Sequence, residues 1–292
     1  MFQFGAEVGQ LDNGKGILMI EDWYAGKTLV VTGCGSGIGR ALTERLIALG
    51  AKVFGFDIRP TGIEGLAFHH IDMRDPASIA AAAAAVDAPI DGLFNCAGIN
   101  PSQGADGMDV MRVNFIGTRY LTEILLPSIR EGGSITSIAS SGGWGWPARL
   151  HELKALIATS GYQDAEGWLR AHAELLAESY NFSKEAVIVW TLSESSETIR
   201  AGVRMNCICP GTVDTPMLDA IIDEHGARFV DSYRGPTGRR SQPEEQAAVM
   251  IFLGSGGASY VNGQAIDVDG GLHGAALVGK IDLVQIVRDA ID

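Results

Sequence analysis

From Lys27 onward the chain alternates short, almost wholly apolar runs with longer stretches of helical periodicity. Thr28–Thr32 is a strand-like run that ends in glycines and leads into a helical stretch from Ile38 to Leu49, which Gly50 closes. Lys52–Phe56 reads as a second strand ending at Asp57, and Ala67–Ile71 as a third ending at Asp72. The alanine-rich Pro76–Val86 predicts a helix opened by proline, whose fixed φ suits the first turn. Gly92–Asn95 and Ser134–Ala139 are expected as strands on either side of a long helix over Asp109–Leu126. Val203–Ile208 and Ala265–Val268 complete the set, each preceded by a helix, Tyr180–Ile199 and Pro243–Leu253. Strands that lack polar alternation are buried on both faces, the condition of a parallel sheet covered by helices on each side. Right-handed crossovers then leave the doubly wound arrangement as the economical topology. The expected fold is α/β: a single doubly wound Rossmann-type domain with a parallel seven-stranded sheet, over residues 27–271. Residues 1–26 form an N-terminal extension, either without fixed structure or docking its run Ile17–Ile20 as a strand. Residues 272–292 form a C-terminal extension whose Leu277, Val278, Ile281, Leu283, Val284, Ile286 and Val287 call for a partner surface or for the protein's own pocket.

Composition narrows the class of partner. Of 292 residues, 46% are apolar and 20% charged, the balance of a globular chain with a sizeable core. The net charge of −13 argues against nucleic acid and against an anionic membrane surface, both of which need clustered Lys and Arg. It does not exclude a nucleotide, because helix N-termini bind phosphate without net positive charge. No apolar window is long enough to span a bilayer, and the N-terminus lacks the basic start of a secretory signal. Cys34, Cys96, Cys207 and Cys209 show no metal-type spacing and read as small buried residues of a reducing cytoplasm, so no metal is expected.

The first strand runs into Thr32-Gly33-Cys34-Gly35-Ser36-Gly37-Ile38-Gly39. Glycines there permit a tight turn and close approach of backbone to a pyrophosphate, and the following helix directs its positive end at the phosphates. Asp57 ends the next strand, where a carboxylate accepts hydrogen bonds from ribose hydroxyls and repels a 2′-phosphate. Arg59 pulls the other way, since an arginine there could hold that phosphate. The absence of a basic residue within the loop favours NAD over NADP, and the absence of Gly-Lys-Ser/Thr excludes a triphosphatase P-loop.

Of six tyrosines, only Tyr180 has a lysine four residues on, Lys184, which in a helix places both on one face. A free tyrosine titrates too high to serve as a base at neutral pH, and a neighbouring ammonium favours the phenolate. Lys184 and the positive ring of a bound nicotinamide are together expected to bring Tyr180 down.

Together these motifs are similar to those of the short-chain dehydrogenase/reductase family, over about residues 27–271. Thr32–Gly39 resembles its TGxxxGIG loop, and Asn95-Cys96-Ala97-Gly98 its NNAG with Cys at the second position. Asn114 resembles its helix asparagine, Gly133–Ser140 its strand ending at the catalytic serine, and Tyr180-Asn-Phe-Ser-Lys184 its YxxxK. Arg204–Gly211 with Thr215-Pro216, and Asp269-Gly-Gly271, resemble its later signatures. The resemblance implies Asn114, Ser140, Tyr180 and Lys184 as catalytic residues, with Lys184 also on the nicotinamide ribose and Asn114 holding a proton relay. It implies contact with NAD for Gly33, Ser36, Gly37, Ile38, Gly39, Asp57, Asp72, Met73, Asn95, Ala97, Gly98, Tyr180, Lys184, Pro210, Gly211, Val213 and Thr215. Ser137 and Ser141 stand beside Ser140 as alternatives for the serine. It further implies a homodimer or homotetramer.

Ser140 and Tyr180 are far more widely separated than the resemblance implies. The extra segment, about 147–178, reads as helical and is expected as a lid at the substrate mouth or as an oligomer contact. It is similar to the inserts of bacterial 3α-hydroxysteroid and coniferyl-alcohol dehydrogenases. Trp144, Trp146 and Trp168 are candidates for an apolar wall around a ring substrate, while His151 and His172 read as solvated helix residues. The expected function is NAD-dependent interconversion of an alcohol with a ketone or aldehyde on a bulky apolar or aromatic small molecule, steroid-like or aryl. The alternatives are a catalytically silent NAD-binding sensor or scaffold, and a nucleotide-sugar epimerase or dehydratase sharing YxxxK.

Overall fold

The apolar runs fold as β1 (Thr28–Thr32), β2 (Lys52–Asp57), β3 (Ala67–His70), β4 (Ile90–Asn95), β5 (Ile129–Ile138), β6 (Arg204–Pro210) and β7 (Ala265–Val268) in the computed structural model. The structure describes residues 23–288 apart from 284 and 287, so the strand expected at Ile17–Ile20, Val284 and Val287 lie outside the described residues. Among the described residues the seven strands pair in parallel throughout, in the order β3-β2-β1-β4-β5-β6-β7. The chain winds outward from β1 to β3, then returns to place β4 against the other side of β1. That reversal opens a crevice beyond the carboxyl ends of β1 and β4. β1 and β6 are buried along their whole length, as strands covered on both faces must be.

The helices between them are α1 (Gly37–Ala48), α2 (Pro76–Ala84), α3 (Gly107–Met111), α4 (Thr118–Leu125), α5 (Leu150–Ile157), α6 (Gly161–Ala171), α7 (Ser179–Thr198), α8 (Pro216–His225), α9 (Ala227–Asp231), α10 (Pro243–Gly254) and α11 (Leu272–Leu277). On one face of the sheet α1 and α10 bury Leu42, Leu46, Met250 and Leu253 against Leu29, Val31 and Phe94. Tyr24, placed by sequence in the N-terminal extension, joins this core fully buried and donates its hydroxyl to the Ile251 carbonyl at 2.7 Å. The opposite face carries α2, α4 and α7, whose residues 182–191 are buried without interruption.

The long helix expected over Asp109–Leu126 is two α-helices joined by a π-helical turn, Arg112–Gly117. Widened turns of this kind recur at functional sites. Here Thr118 Oγ1 donates to the Val113 carbonyl five residues back, and Gly117 sits where a Cβ would lie 2.4 Å from the Met73 carbonyl oxygen. The insert forms α5, α6 and a 3-10 stretch, Ala173–Glu178. It docks by burying Leu153, Leu156, Tyr162, Ala165 and Leu169 in the core. The buried Arg119 of α4 pins the α5–α6 turn, donating to Leu156 and Ile157 carbonyls at 3.3 Å and to the Gly161 carbonyl at 2.7 Å.

Candidate functional site

At the carboxyl edge of the sheet lies a cavity of about 990 Å³, lined by the segments that follow β1 to β6. Its first wall is the glycine loop. A Cβ on Gly39 would lie 2.1 Å from the Gly33 carbonyl oxygen, so only glycine lets α1 start this close to β1. Ser36 caps α1 by position but makes no side-chain cap hydrogen bond, which leaves the first-turn amides facing the cavity. Asp57 closes this end. Its carboxylate accepts from the Gly35 amide at 2.9 Å and from the Arg59 amide at 3.0 Å, so the residue that argued for a 2′-phosphate helps to orient the carboxylate. Thr32 Oγ1 accepts from the amides of Cys96 and Ala97, both at 3.0 Å, and holds the β4 loop against the glycine loop.

The other end gathers the candidate chemistry. Ser140, at the end of β5, accepts from the Gly142 amide at 3.0 Å, and its hydroxyl hydrogen-bonds Tyr180. Ser137 is excluded by register. It lies opposite Asn95 in the β4–β5 ladder, and both side chains point to the buried face of the sheet. Ser141 lines the cavity beside Ser140, without that link to Tyr180. Lys184 is buried and donates to the Ile138 carbonyl at 3.0 Å, with its ammonium 5.8 Å from the centre of the Tyr180 ring. Asn114, in the π turn, accepts from the Ile99 amide at 2.8 Å and donates to the Ile99 carbonyl and to Ser183 Oγ, both at 3.0 Å. A Cβ on Gly98 would stand 3.4 Å from Asn114 Oδ1 and 3.5 Å from Lys184 Nζ, which places both side-chain heads against the missing side chain of that residue.

Burial sets the electrostatics at this end of the cavity. Burial raises the Tyr180 hydroxyl above the ordinary tyrosine value, opposed only by the Ser140 hydrogen bond. Burial also brings Lys184 down to about 8, against the nearby thiols of Cys209, Cys96 and Cys207. Both groups are desolvated, and each resists its charged form.

Gly33, Ser36, Gly37, Ile38, Gly39, Asp57, Asp72, Met73, Ala97, Gly98, Pro210, Gly211, Val213 and Thr215 all line the cavity, together with Ser140, Tyr180 and Lys184. Asn95 does not. Its amide donates into the core, to Thr122 Oγ1 at 3.1 Å and Ser137 Oγ at 3.2 Å, because strand alternation turns it from the crevice. The three tryptophans are also misplaced as a wall. Trp144 stacks on His273 and donates to Asp267, Trp168 stacks on His172, and Trp146 packs on the core; none lines the cavity. Nor does any residue of 147–178. The apolar wall comes instead from α8, α9 and the segment after them: Met217, Leu218, Ile221, Phe229, Val230 and Tyr233. The helical spacing of Met217, Leu218 and Ile221 behind the Thr215-Pro216 start was a signal that could have located it.

Comparison with known proteins follows the same residues. Residues 27–149 match the family model described as short chain dehydrogenase, and 162–273 match the one described as enoyl-(acyl carrier protein) reductase, the gap falling within the insert. The chain is 37% identical over 247 residues to coniferyl-alcohol dehydrogenase of Pseudomonas sp. (strain HR199), covering 84% of this chain and 96% of that protein. It is 34% identical to 3-alpha-hydroxysteroid dehydrogenase/carbonyl reductase of Comamonas testosteroni, covering 84% and 95%. Among solved structures, the 3-alpha-hydroxysteroid dehydrogenase of Pseudomonas sp. B-0831 complexed with NADH superposes with a TM-score of 0.74 at 29% identity, covering 87% of this chain and 100% of that one.

Proposed function

The chain belongs to the short-chain dehydrogenase/reductase family and is an oxidoreductase acting on alcohols or their carbonyl counterparts; on that premise we propose that it is a cytoplasmic, homo-oligomeric, NAD-dependent dehydrogenase of bulky apolar or aromatic alcohols. The observation that carries this reading is one continuous cavity joining the glycine loop and Asp57 to Ser140, Tyr180 and Lys184. The residues fit a dinucleotide: first-turn amides of α1 for phosphate, and an oriented carboxylate at Asp57 for ribose hydroxyls. That carboxylate disfavours a 2′-phosphate. The bound nicotinamide supplies the two-electron acceptor for the carbinol hydrogen and a positive ring charge.

The chain's own residues handle the proton. Ser140 hydrogen-bonds the substrate oxygen and steadies the charge that develops on it. Tyr180 takes the hydroxyl proton, and Lys184, held by the Ile138 carbonyl, supplies the fixed positive charge beside it. Asn114 braces the loop at Ile99 and the turn of α7 at Ser183, setting the distance between Lys184 and the β4 loop. The apolar side chains of α8 and α9 favour a ring-bearing substrate, in keeping with the chain's similarity to hydroxysteroid and coniferyl-alcohol dehydrogenases.

The test is NADH formation from NAD, and NADPH formation from NADP, across secondary, steroidal and aryl-allylic alcohols, with Tyr180→Phe alongside. Turnover with NAD that falls at least a hundredfold in the variant is expected. Tight NAD binding without turnover of any alcohol would instead favour a nucleotide-responsive scaffold, and a preference for NADP would overturn the role given to Asp57.

A further inference from the structure

No residue of the insert lines the cavity, yet the insert touches the segments of its wall from behind at two points. Tyr162 of α6 is 4% exposed and donates its hydroxyl to the Met73 carbonyl at 3.2 Å. The same carbonyl is crowded by the π turn, where only the missing side chain of Gly117 leaves it room. One helical turn beyond Tyr162, the Glu166 carboxylate receives both Arg112 and, at 2.6 Å, Arg170. Arg112 also donates to Asp109 at 2.9 Å, and the second oxygen of Asp109 reaches Arg74 at 3.4 Å. Arg74 then grips Asp72 through Nε at 2.9 Å and Nη2 at 2.8 Å. Charges therefore alternate from the insert to the cavity wall, where Asp72, Met73, Arg74 and Asp109 are all exposed to the interior. This is the Asp57 end of the cavity, since the Ile71 amide donates to the Asp57 carbonyl at 3.0 Å.

We infer that α6 is a buttress for the nucleotide end of the cavity: Tyr162 and Glu166 are positioning residues that hold the Asp72-Met73-Arg74 segment, and through it set cofactor affinity. The inference rests on the reading of this cavity as a nucleotide site. Single half-exposed ion pairs contribute little, but groups that share partners act as a unit, and this unit has both of its outer contacts on one helix. Arg112 depends on Glu166 most. Without that carboxylate, its half-buried guanidinium must be shared between Asp109 and water, and Asp109 then holds Arg74 less firmly. The Tyr162 hydrogen bond works independently on the neighbouring peptide. The insert thus joins the site without touching a ligand.

The test is NADH binding by fluorescence titration to the full-length protein and to Tyr162→Phe, Glu166→Gln, Glu166→Asp, their Phe/Gln double variant and Arg170→Gln. The dissociation constant should rise about threefold in Tyr162→Phe and in Glu166→Gln, and about tenfold in the double variant. Glu166→Asp should recover part of the loss. Arg170→Gln, which removes the outer partner of the same carboxylate, should bind as the parent does. In turnover, the change should fall on KM for the cofactor and not on KM for the alcohol. Unchanged binding in the double variant, or equal losses in both KM values, overturns the buttress. A parent protein that binds neither NADH nor NADPH overturns the nucleotide reading itself, and the buttress with it.

Discussion

Lys184 shows how much a site can demand of one residue. Its ammonium is buried, its hydrogen-bond acceptor among the described residues is the Ile138 carbonyl, and burial lowers it from 10.5 to about 8. For a base, a lowered value in the folded state means that the charged form is penalised by folding. The penalty is complete below about 8, shrinks as pH rises, and is gone above 10.5, where the side chain is neutral folded or unfolded. Lys184→Met, of similar length and no charge, is therefore expected to be more stable than the parent at pH 7 by on the order of 2 kcal/mol, allowing for the lost hydrogen bond. Urea denaturation at two pH values checks this: the advantage should shrink as pH climbs through the window from 8 to 10.5. An advantage that persists undiminished at the upper end would place its source elsewhere, and activity should fall in the same variant. Tyr180 meets the same desolvation from the opposite sign of charge, which is why the pair needs further positive charge before the phenolate becomes accessible.

Among the elements, the insert is the one for which the sequence left two roles open, a lid or an oligomer contact. Amphipathic helices between a catalytic strand and a catalytic helix invite assignment as a lid. These bury their apolar faces against α4 and α7 instead, and Arg119 locks the arrangement by taking three carbonyls of the α5–α6 turn. Such carbonyls at a helix end need partners, and a buried guanidinium supplies several at once. Arg119→Met is expected to cost about 3 kcal/mol, because it leaves those carbonyls buried with fewer donors. Limited proteolysis should then open the chain near residues 158–161, while the parent resists. Loss of stability without new cleavage there would mean that Arg119 supports α4 and not the insert. The π turn belongs to the same scale. Its widened geometry lets Asn114 reach Ile99 and Ser183 together, and helical periodicity gives no warning of it.

Over the whole molecule, charge and surface apolarity have separate consequences. The net charge of −13 coexists with a cavity whose glycine-loop end, proposed to take phosphate, is lined by no lysine among the described residues. No helix among the described residues is long and apolar enough to cross a membrane. Leu192 on α7, Ile199 just past its end, Phe252 on α10, and Tyr260, Leu277 and Val278 are nonetheless exposed. Side chains of this kind fit the proposed homodimer or homotetramer. Sedimentation velocity at micromolar protein should give the mass of two or four chains; a single chain at every concentration would reject the oligomer.

Local patterning was enough to set the α/β class, the seven strands and their parallel sheet, because a strand buried on both faces must be apolar throughout. The same is true of the Gly33–Gly39 turn and of the Tyr180–Lys184 spacing, each a property of neighbours in sequence. What needed the tertiary structure was every question of which face meets which. Register turned Asn95 and Ser137 into the core and left Ser140 at the crevice. Packing drew the tryptophans to His172, His273 and the core, and gave the cavity's apolar wall to α8 and α9. It also set the insert behind the nucleotide end. Periodicity reports that a face is apolar, but the surface that covers it is chosen by competition among all the others, and that competition is settled only when the whole chain is packed.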